Sequence, residues 1–145
     1  MDDRFKCRVW DKNQNKMLIP QDNINYCQID NYIVSVEIFQ NMSGSIRPVI
    51  RASRIFDNAI LMQCTGIKDK NGKLVYDGDI VIYKANIKVV MFDEINLCHS
   101  LLWAKYYNPQ WKSSVSGLRY DKVTKTKKIE VIGNIYENKE LLNDR

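Results

Sequence analysis

The stretch from Leu61 to Tyr83 constrains the fold most, because it combines two glycine turn signals with two strand signals. Asn71-Gly72 predicts a type I′ turn, since this pair supplies the positive φ that both central positions require. Asp77-Gly78 is a second turn signal. The run Asp79–Tyr83 that follows is β-branched and aromatic, and it is too short for a helix. The stretch therefore predicts tight reversals between strands, with Asp79–Tyr83 covered on both faces and Gly78 at a barrel corner.

Alternation of residue types predicts further strands along the chain. They are Phe5–Trp10, Tyr32–Phe39, Ile87–Phe92 and Ile129–Tyr136. The last of these is expected to pair with Asp79–Tyr83 or with its neighbour. Met17–Ile19 is a returning strand that Pro20 ends, and the polar residues up to Asn25 indicate a loop. Asn138 is expected to cap a short tail through Leu141-Leu142.

Four segments, in matching order, are similar to segments of the YopX family of phage and prophage proteins. They are FKCRVWD at 5–11, LMQCTGIKDKNG at 61–72, YDGDIV at 76–81 and EVIGNIYEN at 130–138. The resemblance implies a mainly β fold with an SH3-like barrel, few or short helices, a mobile-element origin and no established biochemical activity. We therefore expect a single YopX-like domain over 1–145. In it, an N-terminal β segment, 1–60, packs on an SH3-like barrel, 61–138, and a tail follows at 139–145.

Residues Ile95–Tyr107 have two interpretations. Ile95, Cys98, Leu102 and Tyr106 have helical spacing, whereas a barrel of this type would place a β hairpin here. The resemblance favours strands.

Composition indicates one globular domain, with 45% hydrophobic and 27% charged residues. The net charge of +5 permits anionic partners, but it is spread along the chain. There is no apolar run of membrane-spanning length, and the N-terminus MDDRF lacks the basic start and apolar region of a signal peptide. We therefore expect a cytoplasmic protein of a bacterial host, with no membrane partner.

The candidates for chemistry do not form a recognisable catalytic or metal motif. The four cysteines include no C-x-x-C pair, so a zinc site would need ligands from distant positions. Cys98-His99-Ser100 places three reactive groups side by side, but neighbours on a strand point to opposite faces. Asp77 and Asp79 are typical turn residues. We therefore predict a non-enzymatic protein with no catalytic, metal or cofactor site and no cofactor.

Aromatic and basic residues are interleaved between Trp103 and Lys128, which is the composition of single-stranded nucleic-acid sites on small β-barrels. The same residue types also fill cores, interfaces and solvated strands. The residues proposed for nucleic-acid binding are Lys105, Tyr106, Lys112, Arg119, Lys122, Lys125, Lys127 and Lys128.

A protein-interaction module fits the sequence equally well. Small β-rich proteins can bind an unknown host or phage protein, or form a homo-oligomer, by pairing their edge strands. The sequence thus predicts an accessory protein that acts by binding, with single-stranded nucleic acid as the alternative ligand.

Overall fold

The computed structural model describes residues 6–21, 24–39, 49–93, 98–108, 121–122 and 128–143. These ranges form strands and two single-turn 3-10 helices, so the mainly β prediction is confirmed. The strands are β1 Cys7–Asp11, β2 Lys16–Leu18, β3 Ile24–Ile29, β4 Tyr32–Phe39, β5 Val49–Phe56, β6 Ala59–Lys68, β7 Leu74–Tyr76, β8 Asp79–Tyr83, β9 Asn86–Asp93, β10 Cys98–Trp103, β11 Asp121–Lys122 and β12 Glu130–Asn134. The first 3-10 helix is Ala104–Tyr106 and the second is Lys139–Leu142. Neither helix in the described ranges has the length and apolar character needed to cross a membrane.

The chain divides into two units, Met1–Cys64 and Thr65–Arg145. Unit 1 contains the three-stranded sheet β3-β4-β5 and the strands β2, β1 and β6, which lie side by side in that order. Strand β6 continues past Cys64 into unit 2, where β7 is its neighbour. Unit 2 also contains the five-stranded sheet β11-β10-β9-β8-β12, in which the paired strands run antiparallel.

Unit 1 has its own apolar core, formed by buried Val9, Ile33 and Phe56 with Tyr26 packed against them. The Tyr26 and Phe56 rings meet edge to face at 6.1 Å between centroids. Tyr26 belongs to β3, which the sequence did not predict. The predicted loop extends too far, to Asn25, because Ile24 already pairs with β4 and the pairing continues to Ile29.

The five-stranded sheet of unit 2 is apolar on both faces. One face carries Val81, Val90 and Leu101, which pack with Val75 and Ile129. The other face carries Ile80 and Val89, which pack with Ala104 and with the half-buried Leu141 and Leu142 of the second 3-10 helix. The predicted burial of Asp79–Tyr83 on both faces is confirmed over its first three residues, which are fully enclosed.

The reversal between β6 and β7 is organised by the carboxylate of Asp69, which is 5% exposed. Its Oδ1 accepts the backbone N–H groups of Asn71 at 2.8 Å and Lys73 at 2.9 Å. Its Oδ2 accepts the N–H of Val131 in β12 at 3.0 Å. A tight reversal is therefore confirmed, but the type I′ prediction is wrong. Of Asn71 and Gly72, only Gly72 has a positive φ, of 82°, and its N–H donates to the Asp69 carbonyl, as in a type I turn followed by a left-handed glycine.

Gly78 forms the predicted corner, with a φ of 81°. Its N–H donates to the Val90 carbonyl at 2.8 Å, and its carbonyl accepts the Ile135 N–H at 3.0 Å. The adjoining carboxylates are also occupied by backbone donors: Asp77 Oδ1 accepts the Phe92 N–H and Asp79 Oδ2 accepts the Tyr76 N–H. The corner thus connects β8 with β9 and with the chain after β12.

Strand β12 pairs with β8, as the sequence predicted, and a bulge interrupts the register between Val131 and Gly133. Asn138 precedes the second 3-10 helix, but the prediction that it caps this helix is wrong. It makes no side-chain capping bond there, because its Oδ1 turns back to accept the Asn134 N–H at 3.2 Å.

The ambiguity at Ile95–Tyr107 is resolved for the described residues in favour of a strand. Residues 98–103 form β10, which pairs with β9 over its whole length. A 3-10 helix follows at Ala104–Tyr106. The helical spacing arises because both faces of β10 contact apolar neighbours, so its apolar residues do not alternate with polar ones.

We predict that Asp69→Asn lowers the free energy of unfolding by about 2 to 3 kcal/mol at neutral pH. One backbone N–H group would then face the NH₂ group of the Asn side chain, which cannot accept a hydrogen bond. Burial raises the pKa of the Asp69 carboxyl, but the hydrogen bonds from Val131, Lys73 and Asn71 and the nearby Lys73 charge outweigh it, so the pKa lies below its ordinary value. This stabilisation is present above about pH 4 and is lost as pH falls through the folded pKa.

Urea unfolding at neutral and acidic pH measures both effects. The difference between wild type and Asp69→Asn should narrow towards acidic pH. The control is Asp57→Asn, an exposed carboxylate that accepts a hydrogen bond only from the Asn13 amide, at 3.1 Å, among the contacts the structure shows. Equal effects of the two substitutions would contradict the role of Asp69.

We predict that Gly133→Ala destabilises the fold by about 1 to 3 kcal/mol through crowding. A Cβ atom on Gly133 would lie 2.5 Å from Asn138 Oδ1 and 2.9 Å from Asn138 Cβ, so Asn138 would have to release the Asn134 N–H. In an Asn138→Gly background the same substitution should cost less than half as much, which a double-mutant cycle of unfolding free energies measures. An equal cost in both backgrounds would refute the clash.

Candidate functional site

Lysines and aromatic residues gather at one end of the five-stranded sheet of unit 2. We call this group the lysine–aromatic cluster, and its members are Tyr83, Lys84, Lys88, Trp103, Lys105 and Tyr106. They come from the β8–β9 hairpin, the end of β10 and the first 3-10 helix. The antiparallel order brings the end of β8, the start of β9 and the end of β10 together.

Strand register places Lys88 at the centre of the cluster. Lys88 lies opposite Val81 in β8 and opposite Trp103 in β10, so the three side chains share one face of the sheet. Its Nζ lies 4.9 Å from the centroid of the Trp103 ring and 5.6 Å from that of Tyr83. The side chain is 4% exposed, whereas the Lys84 and Lys105 side chains are exposed.

The first 3-10 helix presents the outer part of the cluster. Ala104 is buried in the core of unit 2, and Tyr107 packs half-buried against the same core and donates its N–H to the Ala104 carbonyl. Lys105 and Tyr106, held between these two anchors, are directed outwards. Lys105 Nζ lies 4.9 Å from the Tyr106 ring centroid and 5.3 Å from that of Trp103, and 42% of Tyr106 is exposed.

The turn between β8 and β9 is conformationally strained. Tyr83 pairs with Asn86, so the loop contains two residues, and both have positive φ: 49° at Lys84 and 60° at Ala85. Glycine and asparagine normally occupy such positions, because a Cβ atom disfavours them. The Asn86 amide donates to the Lys84 carbonyl at 2.8 Å and supports the turn, and Lys84 Nζ lies 5.1 Å from the Tyr83 centroid.

This arrangement suits an anionic ligand that carries flat rings. Ammonium groups over aromatic faces fix the rings by cation–π attraction, and exposed ammonium groups attract phosphates. An exposed tyrosine beside them offers a surface on which a base can stack.

The structure brings together two of the eight residues that the sequence proposed for nucleic-acid binding, Lys105 and Tyr106. Lys128 is exposed in the turn before β12, and the backbone of Lys122, in β11, pairs with Ser100 of β10. The side chain of Lys122 lies outside the described part of the chain, as do the whole of Lys112, Arg119, Lys125 and Lys127.

Three members of the cluster were not among the residues proposed from the sequence: Tyr83, Lys84 and Lys88. They lie in the β8–β9 hairpin, far along the chain from Trp103. Their signal was available in the strand pattern, because pairing β10 with β9 places Lys88 beside Trp103.

The other candidates for chemistry are separated by the strand geometry. In β10, Cys98 and Ser100 share one face, with Sγ and Oγ 4.0 Å apart. His99 lies on the other face, where its ring meets Phe92 edge to face at 5.4 Å. No group of three or more His, Cys, Asp or Glu residues in the described ranges is placed to hold a metal ion.

We predict that the single histidine, His99, makes the fold less stable at mildly acidic pH. Burial lowers the pKa of His99, and its Nε2 has no hydrogen-bond partner among the described residues. The unfolded chain therefore binds a proton more tightly than the folded one, and stability is lost as pH falls below about 6.5. His99→Phe should remove this dependence, as measured by urea unfolding between about pH 5.5 and 7.5. The same loss of stability in His99→Phe and wild type would contradict this assignment.

Comparison with known proteins identifies relatives by family and by fold. The family model described as YopX protein matches residues 6–143. Among solved structures, the chain is similar to the crystal structure of protein EF1440 from Enterococcus faecalis, with a TM-score of 0.58 and 24% sequence identity. The similarity covers 94% of this chain and 96% of that one, and at this identity it shows a shared fold. The search of curated proteins found no match. Because the family model spans nearly the whole chain, this protein belongs to the YopX family.

Proposed function

We propose that this YopX-family chain is a phage- or prophage-encoded accessory protein that acts in the bacterial cytoplasm by binding, without catalysis. The family resemblance supports the phage origin. Support for the absence of catalysis comes from three carboxylates: Asp69, Asp77 and Asp79 each accept hydrogen bonds from backbone N–H groups. A carboxylate that holds a turn together is committed to the fold, which disfavours a part in proton transfer.

The ligand that the geometry favours is single-stranded nucleic acid, bound at the lysine–aromatic cluster. The observation that carries this proposal is that Lys105 Nζ lies over both the Trp103 and the Tyr106 ring, with Tyr106 exposed. An exposed cation and an exposed ring then lie close enough to contact a phosphate and the adjoining base. A duplex keeps its bases stacked inside, so only its phosphates would contact the cluster, through the lysines.

We predict that fluorescence anisotropy detects binding to a labelled single-stranded oligonucleotide, with weaker binding to a duplex of the same sequence. If two or three phosphates are contacted, affinity for the single strand should fall about 7- to 20-fold between 50 mM and 200 mM salt. Replacing Lys84 and Lys105 by alanine together should weaken binding about tenfold or more at the lower salt.

The matched control replaces two exposed lysines outside the cluster, Lys12 and Lys139, and keeps the same net charge as the test variant. Equal losses in the two double variants would show that only the overall charge matters. No binding at either salt concentration would refute a nucleic-acid ligand. A host or phage protein, or a second copy of the chain, would then be the partner to seek.

A further inference from the structure

Lys88 differs from the other cations of the cluster in being buried. It is 4% exposed, whereas Lys84 and Lys105 are exposed. An ammonium group removed from water is costly unless nearby groups compensate it. A phosphate in solution therefore meets little of Lys88, whereas Lys84 and Lys105 are open to it.

Lys88 makes cation–π contacts with the aromatic rings of Tyr83 and Trp103. Its Nζ lies within 5.6 Å of both ring centroids. Cation–π attraction strengthens when the cation is desolvated, and Trp is the strongest partner. Since the two rings come from different strands, β8 and β10, one buried ammonium lies over rings from both at the end of the sheet.

The exposed cations are placed differently. Lys105 lies on the outer side of the first 3-10 helix, over Tyr106 and Trp103. Lys84 lies at a turn whose two residues both have positive φ. Strained backbone of this kind concentrates at binding sites, where the surrounding structure holds it in place.

We propose that the lysine–aromatic cluster divides the recognition of a nucleic-acid strand among three kinds of side chain. Tyr106 stacks on a base, Lys84 and Lys105 contact phosphates, and Lys88 is a positioning residue that holds the Trp103 ring against Lys105 and the Tyr83 ring against Lys84. This inference rests on the proposed function and adds the role of each side chain to it.

Salt dependence distinguishes these roles. Each lysine that meets a phosphate releases a counterion and contributes about 0.7 to the slope of log affinity against log salt for a single strand. A stacking ring contributes affinity with no change in that slope, because it displaces no counterion. A buried positioning lysine meets no phosphate, so its replacement should lower affinity and leave the slope unchanged, even though the lysine carries a charge.

The experiment measures this slope by fluorescence anisotropy with a single-stranded oligonucleotide for wild type and five variants. Lys84→Gln and Lys105→Gln should each lower the slope by about 0.7. Lys88→Met and Tyr106→Leu should each weaken binding about fivefold or more and leave the slope unchanged. Lys88→Arg, which keeps a cation over the rings, should restore most of the affinity that Lys88→Met loses.

A lower slope for Lys88→Met would make Lys88 a phosphate contact, and unchanged affinity would remove its role; either result overturns the inference. If circular dichroism shows that Lys88→Met does not fold, the variants at exposed residues provide the test. The inference then requires Tyr106→Leu to weaken binding without changing the salt slope. Wild-type binding that none of the variants alters would refute the cluster as the site and leave nucleic-acid binding standing. Absence of wild-type binding would refute the proposed function itself.

Discussion

The carboxylate of Asp69 is the constraint on which the fold of unit 2 depends. It is buried, and it accepts two N–H groups from its own turn and a third from Val131, which lies 62 residues away along the chain. A buried charge is stable only when hydrogen bonds replace its hydration, so the turn and β12 must stay together. The Lys70 N–H reinforces this junction by donating to the Ile129 carbonyl at 2.9 Å. The contacts place the β6–β7 turn beside β12, an edge strand whose unpaired groups would otherwise be open to another chain.

The lysine–aromatic cluster is a consequence of the sheet that this junction stabilises. Its members come from three separate parts of the chain, and antiparallel pairing alone brings them to one end of the sheet. The core adjoins the cluster on the same face of the sheet, where Val81, Val90 and Leu101 lie beside Lys88 and Trp103. The site therefore requires no element of its own beyond a two-residue turn and one 3-10 turn.

The sequence predicted strands well where burial imposes a pattern, and turns less well. It located β1, β4, β8, β9 and β12, but it placed the type I′ turn at Asn71-Gly72. There the Asp69 carboxylate imposes a different turn, which a local dipeptide signal does not reveal. The type I′ pattern of positive φ occurs instead at Lys84-Ala85, which carries no such signal. At that position the two-residue connection between paired strands decides the backbone conformation.

The candidate site was predictable only in part, for a related reason. Composition drew attention to Lys105 and Tyr106, whereas Tyr83, Lys84 and Lys88 join them only through the register of β8, β9 and β10. Register depends on long-range pairing, and a single sequence with an ambiguous stretch at Ile95–Tyr107 left that pairing open. The same dependence on tertiary contacts explains Asn138. Its type favours a helix cap, but its Oδ1 instead accepts the Asn134 N–H.

The central proposal is that the lysine–aromatic cluster of unit 2 binds a nucleic-acid strand. The most direct test is a titration of ¹⁵N-labelled protein with single-stranded DNA at low salt, followed by the chemical shifts of the backbone amides. If the lysine–aromatic cluster is the site, the largest changes fall on residues 83–88 and 103–106, and the β3-β4-β5 sheet of unit 1 is unaffected. Changes confined to that sheet, or an unchanged spectrum at saturating DNA, would contradict it.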